Sequence, residues 1–314
     1  MIDKKMFEKI CKMSEKELKN FTKQKLQGMY GYVTSQDGFV FAQGTFPVLL
    51  VAHLDTVHKE RVREIVYSED GNTISSPQGI GGDDRAGVYS ILEIIKKFKC
   101  SVLFTEQEEV GGIGADKFAK SDLLEELDFN YIIEFDRANA NDAVFYSCAN
   151  DEFENFITQD FYKTNYGSYS DICEVAPALG CAAVNLSIGY YKAHTTSEYV
   201  VLSEMEASIE AACAILERTT ENDKFEYVED VSYGYCGNNY SYSGSYSNYS
   251  YTGAMESYYA QKYYIIEYVN VYGANEYYDT YARSKAEAIG HFVMDKTDMT
   301  YDNVVDVCSQ DLYY

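Results

Sequence analysis

The chain has 314 residues, 46% of them hydrophobic, and a formal net charge of −24. That length exceeds the usual single-domain size and the apolar content supports a sizeable core, so one large domain with a smaller appendage is expected. The acidic balance excludes nucleic acid and anionic membrane as partners, because both select a basic face, and leaves cationic ligands open.

Residues 1–19 are studded with Lys and Glu and lack the apolar stretch of a signal peptide. No run approaches about 20 apolar residues, so a soluble, cytoplasmic protein is expected. The eight cysteines have no CxxC spacing, and Cys100, Cys173 and Cys213 fall inside apolar patterns, so reduced, buried thiols are expected. Residues 3–27 carry Met6, Phe7, Ile10, Met13, Leu18 and Phe21 among charges, which predicts an amphipathic helix or helix pair. Residues 30–34 and 39–42, joined across Gln36-Asp37-Gly38, read as a hairpin. The run Pro47-Val-Leu-Leu-Val-Ala then has the length and continuity of a strand buried on both faces, and it ends in His53-Leu-Asp55. Open α/β sheets place ligands beyond strand ends, and alternation puts His53 and Asp55 on one side, so the carboxylate can hold the imidazole from behind.

Residues 63–67 and 73–75 predict a second hairpin, leading into Gly79-Ile-Gly-Gly-Asp83-Asp84-Arg-Ala-Gly87. Two adjacent carboxylates in a glycine-walled turn repel each other unless a proton or a metal ion separates them. Gly81 and Gly82 are expected to let the backbone approach a bound group, and Val88, Ile91, Leu92, Ile94 and Ile95 continue with helical spacing. On this reading Asp83 bridges two metal ions. Residues 100–105 form the next buried strand and end in Glu106, Glu108 and Glu109, before a glycine-rich helix start at 111–115. Neighbouring glutamates can face one site with different tasks, one binding metal and one handling protons. A short helix is expected at 122–127, a third strand at 131–135 delivering Asp136, a fourth at 182–188 preceding His194, and a closing helix at 202–217. The fold class is therefore α/β, a mixed, mostly parallel sheet sandwiched by helices. Two His and at least three carboxylates make a two-metal inventory that suits zinc, with cobalt or manganese open.

Read together, His53-Leu-Asp55-Thr-Val, Gly81-Gly-Asp83-Asp84-Arg-Ala-Gly87, Thr105-Glu-Gln-Glu108-Glu109-Val-Gly-Gly, Glu134-Phe-Asp136 and His194 resemble the five ordered motifs of the co-catalytic zinc exopeptidase superfamily, which includes peptidase T, glutamyl aminopeptidases and bacterial leucyl aminopeptidases. The resemblance spans roughly residues 30–220. It implies that Asp83 bridges two Zn2+, that His53 and Asp136 complete one site, and that Glu109 and His194 complete the other. It further implies Glu108 as general base, Asp55 as buttress of His53, and a cis Asp83–Asp84 peptide. The activity implied is peptide-bond hydrolysis by an aminopeptidase or other exopeptidase. The same site acting on N-acyl amino acids would make a deacylase, and a catalytically inactive, metal-stabilised binding scaffold is the non-enzyme alternative. Segment 137–193 is too short for the lid or dimerisation domain that the di- and tripeptidases and deacylases insert there, and segment 54–82 for the domain that the tetrahedral aminopeptidases insert, so the resemblance is to a lidless catalytic domain, which Ser168-Tyr-Ser170-Asp171 and the segment after Gly180 also resemble.

Several residues keep two readings. Arg137 either binds a substrate carboxylate or forms a structural ion pair; Tyr190 and Tyr191 either wall a pocket or lie on the surface. His58 is a loop residue or a third metal site, and Asp171 is a helix N-cap or lines the pocket. Residues 1–221 are read as the catalytic domain and 222–262 as a Tyr/Ser/Gly-rich linker. Residues 263–314 are read as a small ββαβ module, with a helix at 284–294 capped by Ser284, whose docking or oligomerisation role admits a homo-oligomer.

Overall fold

The amphipathic start resolves into two helices, α1 (Lys4–Cys11) and α2 (Glu15–Gln27), separated at Ser14, which exchanges hydrogen bonds with Glu17 in a capping box. Strands β1 (Tyr32–Gln36) and β2 (Phe39–Gln43) pair across Asp37-Gly38 as the turn signal requires. There follow β3 (Phe46–His53), β4 (Val66–Tyr67), β5 (Thr73–Ser75), α3 (Gly82–Ile94), β6 (Cys100–Thr105) and α4 (Ile113–Ala119). A 3-10 turn at Asp122–Glu126 leads to β7 (Tyr131–Arg137), β8 (Asp142–Val144), α5 (Asp151–Ile157), β9 (Lys163–Asn165), α6 (Ile172–Leu179) and β10 (Ala183–Ser187). A hairpin, β11 (Tyr190–Tyr191) and β12 (Tyr199–Val201), precedes α7 (Leu202–Arg218). This computed structural model describes residues 2–167, 169–228, 262–270, 274–282, 292, 296 and 303–310. They divide into two compact units, Met1–Asn165 with Tyr169–Glu229, and Tyr166–Ser168 with Asp230–Tyr314.

The first unit is built on an eight-stranded sheet in the order β1-β2-β6-β3-β7-β10-β8-β9. Its centre, β6-β3-β7-β10, is parallel, and β2 and β8 border it antiparallel. Alternation along β3 shows why both faces are covered. Val48, Leu50 and Ala52 join the core shared with α1, α3 and α7, whereas Leu49 and Val51 are equally buried on the other face. On that other face Phe118 of α4 packs on Phe39 and Phe41 of β2. All six residues of β6 are buried, as expected of a parallel strand between two helix layers.

A second, antiparallel sheet, β11-β12-β5-β4, ties the late hairpin to the segment before α3. Its strand β4 covers only Val66–Tyr67, shorter than the expected 63–67, because the N–H groups of Arg63 and Glu64 both go to Gln78 Oε1 instead of a ladder. Cys11, Cys100, Cys181 and Cys213 are buried and form no disulfide, and Cys148 and Cys173 are buried as well. Among the described residues no helix is long and apolar enough to cross a membrane.

In the second unit β13 (Lys262–Val269), β14 (Asn275–Ala282) and β15 (Val304–Gln310) form an antiparallel sheet in the order β14-β13-β15. Tyr264, Ile266 and Tyr268 are buried on alternate positions, and Phe292 packs on Tyr268 and Tyr278. The helix expected at 284–294, Phe292 excepted, and residues 229–261 of the expected linker lie outside the described residues.

Candidate metal centre

Because β3, β6 and β7 run parallel, their C-terminal ends share one edge of the sheet, and His53, the 105–109 segment and Asp136 emerge there together. The turn before α3 and the loop of the β11–β12 hairpin reach the same edge with Asp83 and His194. Asp83 turns one oxygen to each imidazole: Oδ1 lies 2.9 Å from His53 Nε2 and Oδ2 lies 3.2 Å from His194 Nε2. Asp136 Oδ1 is 3.4 Å from His53 Nε2, and Glu109 Oε2 is 3.1 Å from His194 Nε2. The five residues singled out as ligands thus form two groups that share the Asp83 carboxylate.

Asp55 sits behind them. Its Oδ1 is 3.3 Å from His53 Nδ1, and its two oxygens accept the N–H groups of Glu108 at 3.1 Å and Glu109 at 3.2 Å. The Asp83–Asp84 peptide is cis. Asp84 accepts from the backbone, from His53 N–H at 3.2 Å and Gly87 N–H at 2.8 Å. His53, Asp84 and Asp136 bring ligand atoms within 4.8 Å of one another, as do His53, Asp83 and Glu109. With both Asp84 oxygens accepting backbone N–H groups, Asp83 is the better-placed donor of the two.

Asp136 is held on every side. The Asn185 amide accepts its N–H at 2.8 Å and donates to its carbonyl at 2.9 Å; Ser170 donates to Oδ2 at 3.1 Å and Tyr190 to Oδ1 at 3.3 Å. Asn185, Ser170 and Glu198 are the functional neighbours that sequence reading missed. An amide inside the apolar run of β10 and an acid four residues after His194 were the available signals. Tyr190 is buried against Asp136, whereas Tyr191 stacks on Tyr199 and donates to Glu204. Arg137 lies 3.8 Å from Asp142, and His58 pairs with Glu198 at 2.7 Å away from the two imidazoles. Asp171 precedes α6 without capping it and receives Thr105 instead. Gly82 lets the hairpin pack closely on the turn: a Cβ there would lie 2.7 Å from Val200 and 2.9 Å from Tyr190.

The electrostatics are those of too many buried acids. Burial pushes Glu108 up to about 9, helped by Asp136, Asp171 and Glu109, and pushes Asp171 up to about 7 and Asp136 up to about 6. Glu134 and Asp84 are driven well above the carboxylate range by burial and by Asp136. For Asp83 burial is outweighed by hydrogen bonds from His194 and His53, which hold it low. For His53 burial opposes the charge, but Asp136, Asp55 and Asp83 hold the imidazole well above its usual range; hydrogen bonds to Asp83 and Glu109 raise His194 to about 10. The buried Arg85 spends its guanidinium on the carbonyls of Leu54 and Met13. His53 Nδ1 and Glu109 Oε1 are buried without an aligned hydrogen-bond partner. Two imidazoles with a surplus of carboxylates, set in two groups that share Asp83, and a Glu109 Oε1 left without a hydrogen-bond partner fit divalent cations, which would reverse the upward shifts.

Residues 41–177 match the profile of peptidase family M28. No curated protein matches the chain. Among solved structures, aminopeptidase PepT from Bacillus cereus is 15% identical over 68% of this chain and 96% of its own, with a TM-score of 0.54. A tripeptidase from Staphylococcus aureus is 14% identical over 68% of this chain and 96% of its own, with a TM-score of 0.55. An aminopeptidase from the archaeon Desulfurococcus kamchatkensis is 14% identical over 69% of this chain and 94% of its own, with a TM-score of 0.51. The likeness to these structures is one of fold, an α/β sheet flanked by helices. The peptidase family M28 match over residues 41–177, on that fold, supports reading this chain as a metallo-exopeptidase.

Proposed function

We propose that this chain is a di-zinc exopeptidase that cleaves small peptides from an unblocked N-terminus. The observation that carries the reading is the Asp83 carboxylate divided between His53 and His194, each with a further acid, Asp136 or Glu109, beside it. In this reading His53, Asp83 and Asp136 hold one zinc ion, and Asp83, Glu109 and His194 hold the second. A bound pair supplies Lewis acidity toward the scissile carbonyl and brings the pKa of water toward neutrality. Glu108 takes the proton of the attacking water and delivers it to the leaving amine, so one carboxyl serves as base and then as acid. Asp55 fixes the peptide that carries Glu108 relative to the His53 imidazole. With 57% of the His194 side chain exposed, the site opens to solvent at the hairpin loop, which suits short peptides that need no lid to hold them. Residues 1–221 form the catalytic domain in this proposal, 222–262 a linker, and 263–314 an accessory module. Buried thiols at Cys11, Cys100, Cys181 and Cys213, in no disulfide, support a reducing, cytoplasmic setting.

The test combines metal analysis with a panel of free and N-acetylated di- and tripeptides. About two equivalents of zinc and release of free amino acids from the unblocked peptides are expected. Release confined to N-acylated substrates would overturn the aminopeptidase in favour of a deacylase. Full zinc occupancy with no hydrolysis of either set would leave a binding scaffold.

A further inference from the structure

We infer that Glu198, seconded by His58, is a positioning residue that fixes the Asp83 turn against the hairpin carrying His194; the inference rests on the two-metal reading above. Glu198 is fully buried at the base of the loop between β11 and β12, four residues after His194. Its Oε2 accepts the Gly81 N–H at 2.8 Å and meets His58 Nε2 at 2.7 Å, and its Oε1 accepts the Asp83 N–H at 3.0 Å. Both oxygens of one carboxylate are therefore committed to the turn that presents Asp83.

The start of α3 explains why such a lock is needed. Helix starts leave backbone donors that a local Ser, Thr, Asp or Asn usually satisfies. Here the N-cap is Gly81 in the left-handed region, with no side chain to offer. A carboxylate 115 residues further along the chain takes the place of that cap. The replacement has a consequence that an ordinary cap lacks. The hairpin that holds Glu198 also carries His194, so the turn with Asp83 and the loop with His194 are joined by one side chain. Asp83 and His194 are partners in the second of the two groups, and the distance between them is what the joint sets.

His58 completes the device. Its ring lies over Gly79, where an added Cβ would fall 2.2 Å from His58 Cε1, so the glycine is what allows the ring to reach Glu198. Neither His58 nor Glu198 belongs to the proposed ligands.

Zinc titration of the metal-stripped full-length chain tests the inference, with thermal melting in EDTA alongside. In Glu198→Gln one acceptor becomes an amide donor facing backbone N–H groups. The second equivalent of zinc is expected to weaken about 10- to 100-fold, the magnitude typical of losing a residue that orients a metal ligand. The first equivalent is expected to change much less. His58→Ala is expected to weaken the same equivalent by a smaller factor, and serves alone if Glu198→Gln does not fold. A merely structural cap would lower the metal-free melting temperature while both equivalents bound as in wild type, and that result would overturn the inference. A wild-type chain that takes up no pair of zinc ions would overturn the two-metal reading itself, and the inference with it.

Discussion

Asp55 does more at this site than its place beyond the end of β3 suggests, because one carboxylate meets an imidazole and two backbone N–H groups at once. Removing it frees the His53 ring and the Glu108–Glu109 peptide together. Asp55→Ala is therefore expected to weaken zinc binding by about 10- to 100-fold, read by metal titration, with hydrolysis falling in step at limiting zinc. Glu108→Ala should separate the two functions. It is expected to retain both equivalents of zinc while steady-state peptide hydrolysis falls by about 10²- to 10⁴-fold; rates within a few-fold of wild type would remove Glu108 from the mechanism. His53 and Asp55 were legible in sequence because alternation in a strand puts both on one side. Ser170 and Asn185 were not, since their roles consist of contacts with Asp136 made between segments far apart in the chain.

At the scale of elements, the site depends on how firmly β3 is held, because His53 is its last residue. Leu50, fully buried in the core shared with α3, is a measure of that hold. Leu50→Ala is expected to cost about 2–5 kcal/mol in denaturant unfolding of the metal-free chain, with the cavity as the reason. The long apolar runs that became β3, β6 and β7 were legible because strands covered on both faces need no polar residues. The β11–β12 hairpin was not. Its strands of two and three residues are too short to show alternation, and their pairing with β5 comes from the tertiary fold. The packing of Tyr190 and Val200 against Gly82, which leaves no room for a Cβ, is likewise a contact that only the folded hairpin creates.

For the whole molecule the governing feature is its surplus of buried acid. An acid whose pKa is raised on folding keeps in the folded chain a proton that the unfolded chain has released, so its contribution to stability declines as pH climbs toward the folded value. Glu108, Asp171 and Asp136, raised by burial to about 9, 7 and 6, all act in this direction. His194, raised to about 10 by Asp83 and Glu109, acts the same way, stabilising at low pH and losing its effect as it deprotonates. The metal-free chain is therefore expected to lose several degrees of melting temperature between about pH 5 and pH 9. Zinc, which needs these ligands deprotonated, binds more tightly over the same interval. Melts in EDTA and in zinc should diverge as pH rises; a metal-free melting temperature that is flat or rising with pH would contradict this. Sequence by itself determined the α/β class, the strands that end in His, Glu or Asp, and the residue types that point to metal chemistry, because buried strands and paired carboxylates are local patterns. Only the tertiary structure decided which side chains hold those acids in place, since Glu198 reaching Asp83 and Asn185 reaching Asp136 are encounters between distant segments that no local period encodes.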